Sequence, residues 1–127
     1  MTIRISRYRL DMDNLPIKSI KAGTFYSEVD NGNSGSSKTI DWTAGNKQKI
    51  TLTDNCTFTF TNPAGPCNVI LKVIQDSTGS RTVSWPASVK WAGGTAPTLT
   101  TTANAVDIVS FYYDGTNYYG TSSLNFS

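Results

Sequence analysis

The stretch Cys56-Thr57-Phe58-Thr59-Phe60-Thr61 alternates a thiol or aromatic side chain with threonine over six consecutive residues. Period-two alternation of this kind belongs to a strand with one face in a core and the other in water. Phe58 and Phe60 are expected inward, and Thr57, Thr59 and Thr61 outward. Asn62-Pro63-Ala64-Gly65-Pro66 then breaks the run. Val69-Ile70-Leu71-Lys72-Val73-Ile74 follows, more continuously apolar, as a central strand covered on both faces requires. The two runs and the break between them read as a hairpin. In that register Cys67 lies beside the turn, opposite about Thr61, and Cys56 lies roughly 17 Å further along at about 3.4 Å per residue. A disulfide needs Cα atoms about 4.4–6.8 Å apart. Cys56 and Cys67 are therefore expected as reduced thiols packed as small hydrophobes.

Short extended runs continue on both sides. Thr39-Ile40-Asp41-Trp42 stops at Ala44-Gly45-Asn46, and Lys49-Ile50-Thr51-Leu52-Thr53 turns at Asp54-Asn55. Downstream, Asp76-Ser77-Thr78-Gly79 turns into Arg81-Thr82-Val83-Ser84-Trp85, and Pro86 removes a ladder donor after it. Ala105 to Tyr113 forms a strong strand, and Asp114-Gly115 between aromatic flanks is a hairpin signal. No segment carries helical periodicity. The pattern predicts an all-β sandwich or jelly roll of about eight to ten short antiparallel strands over residues 31–127, preceded by an extended arm over residues 1–30.

Composition agrees. Thr and Ser supply 18 and 14 of the 127 residues, while the charged fraction is 16%. β-Branched and aromatic residues suit a pleated surface, and the strong helix formers are scarce. There is no His, which excludes a His base, a Ser-His-Asp triad and a His-ligated metal. No apolar run is long enough for a membrane helix, and the first nine residues lack the apolar stretch of a secretory signal. The expectation is assembly in a cytoplasm, with no membrane, nucleic-acid or cofactor partner.

Charge is uneven along the chain. Residues 1–21 hold five cations (Arg4, Arg7, Arg9, Lys18, Lys21) against Asp11 and Asp13, while the rest has six cations against seven acids. Two readings follow: a basic arm that docks on an acidic partner, or a first strand with solvated arginines. The attachment candidates are Ile3, Arg4, Ile5, Arg7 and Arg9.

A catalytic carboxylate pair needs two acids held about 5–10 Å apart in a cleft. Asp54, Asp76 and Asp114 sit in predicted turns, where such side chains cap local backbone. Asp107 lies mid-strand between Val106 and Ile108, on the solvent face or beside a cation. The sequence thus predicts no enzyme and no metal site. Trp91, Tyr112, Tyr118 and Tyr119 are candidate receptor or interface aromatics, because aromatic faces stack on sugars. The plainer reading places Trp42 and Trp85 in the core, with the tyrosines paired across a hairpin. Residues 105–127 contain no Lys or Arg, so stacking here points to glycans rather than nucleic acid.

Lys38-Thr39-Ile40-Asp41-Trp42, Asn46-Lys47-Gln48, Thr51-Leu52-Thr53, Asp76 to Pro86, Val89-Lys90-Trp91, Gly93 to Thr100 and Tyr112 to Gly120 occur in that order. The ordered set resembles a β-sandwich module of tailed-bacteriophage virion proteins, found at tail-fibre ends and in small surface proteins. The resemblance implies a virion surface protein without enzymatic activity, commonly a homotrimer. Two functions follow from it. A one-module chain with a basic arm suggests a capsid decoration protein that cements the head by bridging copies of the major capsid protein. Alternatively, the chain is a tail-fibre or tail-tip adhesin. Its arm would then attach to the tail, and the loops near Trp91–Pro97 or Asp114–Tyr118 would meet a host glycan or surface receptor.

Overall fold

A computed structural model describes residues 14–127. Among them are nine strands: β1 (Val29–Asn33), β2 (Ser37–Asp41), β3 (Lys47–Leu52), β4 (Cys56–Thr61), β5 (Cys67–Gln75), β6 (Val83–Ser84), β7 (Val89–Trp91), β8 (Val106–Tyr113) and β9 (Tyr118–Phe126). They form a large sheet in the order β1-β3-β5-β8-β9-β7 and a small sheet in the order β2-β4-β6. Inward side chains of the two sheets make one core. Ile40 and Phe58 come from the small sheet, and Ile50, Leu52, Val69, Leu71 and Val109 from the large one, all essentially inaccessible to solvent. The protein is an all-β sandwich, as its alternation predicts.

Strand direction differs from the expectation. From β1 to β6 the chain passes from one sheet to the other at every turn, so it winds as a coil rather than folding back. One turn of the coil carries Val29 to Gln48, Ser37 to Thr57 and Lys47 to Ile70, each pair joined in parallel register. β4–β6 and β7–β9 are parallel as well, and only β5–β8 and β8–β9 are antiparallel. The expected β4–β5 hairpin does not form. Pro63 and Pro66 have no N–H with which to close a ladder beside the turn. The link Asn62–Pro66 instead crosses between the sheets, so Phe58 faces the Val69–Leu71 side of the core. Both cysteines are free, Cys56 buried and Cys67 half-buried. Burial pushes the Cys56 thiol pKa up. The Asp114–Asn117 hairpin between β8 and β9 is as expected, and so is β5 as an interior strand.

Three buried polar side chains stitch the coil where ladder bonds are missing. Gln48 donates to the Asp41 and Gly45 carbonyls at 2.7 and 2.9 Å and accepts from Asn31 Nδ2 at 2.9 Å. Gln75 donates to the Arg81 and Thr100 carbonyls and accepts from the Arg81 N–H. Asp107 is 3% exposed. It accepts from the Thr100 N–H at 2.7 Å and the Asn125 N–H at 2.8 Å. This corrects the expectation that Asp107 faces solvent or a cation. The β8–β9 register shifts between Val106 and Ile108, leaving backbone donors that a carboxylate can satisfy.

The turn aspartates behave as expected. Asp54 accepts from the Asn55 N–H, Asp76 from the Thr78 and Gly79 N–H groups, and Asp114 from the Thr116 and Asn117 N–H groups. Arg81 above all, then the Gly79 N–H, holds the Asp76 carboxyl below the usual carboxylate range. The Asn117 and Thr116 N–H groups do the same for Asp114, and the Thr43 hydroxyl and N–H for Asp41. A carboxyl depressed in the folded state stabilises it above the unfolded pKa of about 3.9, and that stability is lost as pH falls further. With no His in the chain, the melting temperature is expected to stay flat between about pH 5.5 and 7.5 and to fall below about pH 4. A scan of melting temperature against pH checks this, and a transition inside the flat range would contradict it.

Candidate functional site

The two outward sheet faces differ in chemistry. On the small sheet Ser37, Thr39, Asp41, Thr57, Thr59 and Thr61 all point to solvent. Thr39 and Thr59 share a 2.7 Å hydroxyl hydrogen bond. This is an ordinary wetted face. On the large sheet the outward side chains Ile70, Ile74 and Ile108 are half-buried with Lys72 among them, and Tyr112 and Tyr119 stand 50% and 48% exposed. Lys47, Lys49, Asn68, Lys72 and Ser110 share this face, so the exposed tyrosine pair is an aromatic patch within a mixed surface, and it makes the face a candidate contact surface.

Register places the side chains of this face. Asn68 pairs with Tyr112, Tyr112 with Tyr119, and Tyr119 with Lys90, making one row across β5, β8, β9 and β7. The next row runs Lys47, Ile70, Ser110 and Thr121 across β3, β5, β8 and β9. Neighbouring strands lie about 4.8 Å apart, so each row is a strip of contiguous side chains. The Tyr112 and Tyr119 rings are stacked, with centroids 6.4 Å apart and planes at 26°. Tyr119 divides two shallow depressions. One, of about 480 Å³, lies over Ile70 and Ser110 and is bounded by Lys47, Asn68 and Tyr112. The other, of about 490 Å³, is bounded by Lys90, Trp91 and Ala92, and Thr121 lines both.

Of the four expected aromatics, Tyr112 and Tyr119 stand on this surface. Trp91 is half-buried at its edge, while Tyr118 does not reach it. Tyr118 is fully buried, its ring 4.6 Å from that of Tyr113 and its hydroxyl donating to Asn62 Oδ1 at 2.8 Å. Burial raises its phenol pKa. The reason is strand alternation: Tyr119 points out, so Tyr118 points in. Trp91 lies 5.2 Å from Trp85 and 5.8 Å from Phe111, with its ring over Gly120. A Cβ at Gly120 would meet Trp91 ring atoms at 2.7 and 2.9 Å and Phe111 at 3.2 Å. Gly120→Ala is therefore expected to lever the Trp91 ring outward, costing about 1–3 kcal/mol. The check is denaturant unfolding with red-shifted tryptophan emission, and an unshifted spectrum at full stability would contradict it.

Asn68, Lys47 and Lys90 have no place among the sequence candidates, because only pairing between strands distant in sequence brings β3, β5 and β7 beside the β8–β9 hairpin. Ile3, Arg4, Ile5, Arg7 and Arg9 lie outside the described residues. Residues 14–28 hold no strand and carry Leu15, Ile17, Ile20, Phe25 and Tyr26, exposed by 57% or more. Two contacts bring this segment to the large sheet. Lys47 Nζ sits 5.2 Å from the Phe25 ring centre, and Glu28 Oε1 is 3.0 Å from Lys72 Nζ.

The family model "Putative phage tail fibre C-terminal domain" matches residues 34–118, from the turn before β2 to the first residue of β9. The chain belongs to this family. No curated protein and no solved structure matches it. The tail-fibre domain is thus a module of a tailed-phage virion, in agreement with the resemblance of its ordered motifs. The match is to a tail component, and nothing in it supports the expectation of a capsid decoration protein. Strands β2 to β8, with Tyr112 on the outward face, fall inside the matched residues, while β1, Tyr119 and the rest of β9 lie outside them.

Proposed function

We propose that this tail-fibre domain is a host-facing adhesin, binding a cell-surface saccharide on the outer face of its large sheet without catalysing a reaction. The observation that carries the reading is the stacked, half-exposed Tyr112–Tyr119 pair beside Ile70, set against a hydroxyl-lined face on the small sheet. The C–H face of a sugar ring packs on an aromatic ring, and hydroxyls such as Ser110 and Thr121 complete its hydrogen bonds. The turn aspartates are committed to backbone N–H groups and Asp107 is buried, which favours a binding role over hydrolysis. In this reading the N-terminal segment attaches to the rest of the tail.

Three copies assembling through Leu15, Ile17, Ile20, Phe25 and Tyr26 would cover the apolar side chains that one chain leaves in water. Light scattering tests that assembly, and a monomer at high concentration would overturn it. The adhesin reading is tested by co-sedimenting the labelled protein with host cells and, in parallel, with undecorated phage heads. Saturable binding to cells is the expected result. Binding to heads alone would overturn it in favour of capsid decoration.

A further inference from the structure

The turn between β8 and β9 is tied to one tyrosine on each face of the sheet. Its backbone closes where the Asp114 N–H donates to the Asn117 carbonyl at 3.1 Å. Asp114 Oδ1 accepts from the Thr116 and Asn117 N–H groups at 2.8 and 2.7 Å. On the core side the Tyr113 hydroxyl donates to the Gly115 carbonyl at 2.9 Å. On the outer side the Asp114 carboxylate also accepts from the Tyr119 hydroxyl. The Tyr119 ring is stacked on that of Tyr112. We propose that Asp114 is a positioning residue for the receptor surface: its carboxylate holds the Tyr119 hydroxyl, fixes the plane of that ring and, through the stack, the plane of Tyr112. The inference rests on the adhesin reading and names what orients the two rings before a receptor arrives.

Both rings are about half exposed, so burial alone leaves them room to turn. Immobilising a side chain when a receptor binds costs affinity, and a ring already held in place avoids that cost. An ionised carboxylate suits the task. It offers about four lone-pair sites, and hydrogen bonds to it are stronger than those between neutral groups. The two turn amides leave capacity for the phenol. The anchor is itself constrained. Gly115 sits at φ +101°, and a Cβ there would lie 3.9 Å from Pro66 Cγ, so the turn rests against the Asn62–Pro66 link. The bond also sets what Tyr119 can offer. With its hydroxyl taken by Asp114, the ring presents aromatic surface to the C–H face of a sugar rather than a hydroxyl to a sugar oxygen.

The test compares Tyr119→Phe, Asp114→Asn and the double variant with the parent, all as the full chain. Tyr119→Phe keeps the ring and removes only the hydroxyl, while Asp114→Asn keeps one acceptor oxygen for the turn amides. Two quantities are read: binding of labelled protein to host cells, and the three-bond NMR couplings that report χ1 of Tyr112 and Tyr119. Each single variant should bind roughly two- to tenfold more weakly than the parent. Their couplings should average over rotamers where the parent shows one. The double variant should lose no more than the weaker-binding single variant, because both changes break the same bond. Parental binding by Tyr119→Phe would overturn the positioning role and leave the adhesin reading intact. Weakened binding with unchanged couplings would overturn it too, since the hydroxyl would then touch the receptor itself. Losses that multiply in the double variant would show that the two residues act independently, against the proposal. A parent that binds no cells would overturn the adhesin reading and this role with it.

Discussion

Replacing Phe111 by alanine is expected to destabilise the domain by about 3–5 kcal/mol, at the upper end of what a single core truncation does. Phe111 is 2% exposed and lies where the two sheets and the tryptophan cluster meet. Its ring centre is 5.5 Å from that of Phe60, 5.8 Å from those of Trp85 and Trp91, 6.1 Å from Tyr118 and 6.2 Å from Trp42. Truncation therefore removes burial and several tilted or edge-to-face aromatic contacts together, and the rigid neighbours cannot all collapse into the space. For a domain of this size the loss corresponds to a fall in melting temperature of roughly 10–20 °C. Calorimetry measures it, and a shift of only a degree or two would contradict the central place given to this ring.

The second large effect is expected at Asp107. Asp107→Ala removes the buried acceptor of the N–H groups of half-buried Thr100 and exposed Asn125. Each hydrogen bond to a charged group contributes about 1.5–3 kcal/mol, and water can replace the one at Asn125, so a loss of about 2–4 kcal/mol follows. Asp107→Asn keeps one acceptor oxygen and should cost less. The loss is local in origin, because the carboxylate ties the loop before β8 and the end of β9 to the β8 register shift. Hydrogen exchange should accelerate first at the Thr100 and Asn125 amides. Unchanged protection at both would show that the carboxylate does not hold these segments.

Alternation made the strand content and the inward set legible. Phe58, Ile50, Leu52 and Val69 occupy the core where their spacing puts them, and Thr57, Thr59 and Thr61 the water-facing side. Alternation fixes which face a residue takes and says nothing about which strand lies beside it. A hairpin meander and a parallel coil impose the same period, so the β4–β5 pairing was misassigned. Pro63 and Pro66 were the contrary signal, since each lacks a ladder donor. The same gap hid the site. Tyr112 and Tyr119 belong to one hairpin and are readable locally, whereas Lys47, Asn68 and Lys90 reach them only through pairing between strands distant in sequence. Tyr118 was separable from Tyr119 by alternation alone. Asp107 was not, because a mid-strand carboxylate is normally solvated and its two donors come from distant segments.

The central claim, that the outer face of the large sheet is the receptor surface, is tested most directly by binding of labelled protein to host cells. The comparison is between Tyr112→Ala/Tyr119→Ala and Thr39→Ala/Thr59→Ala on the opposite face, with melting temperatures measured alongside. The tyrosine variant should keep its fold and lose tenfold or more in apparent affinity, about 1.4 kcal/mol per factor of ten. The threonine variant should bind as the parent does. Undiminished binding by the tyrosine variant, or loss confined to the threonine variant, would contradict the account.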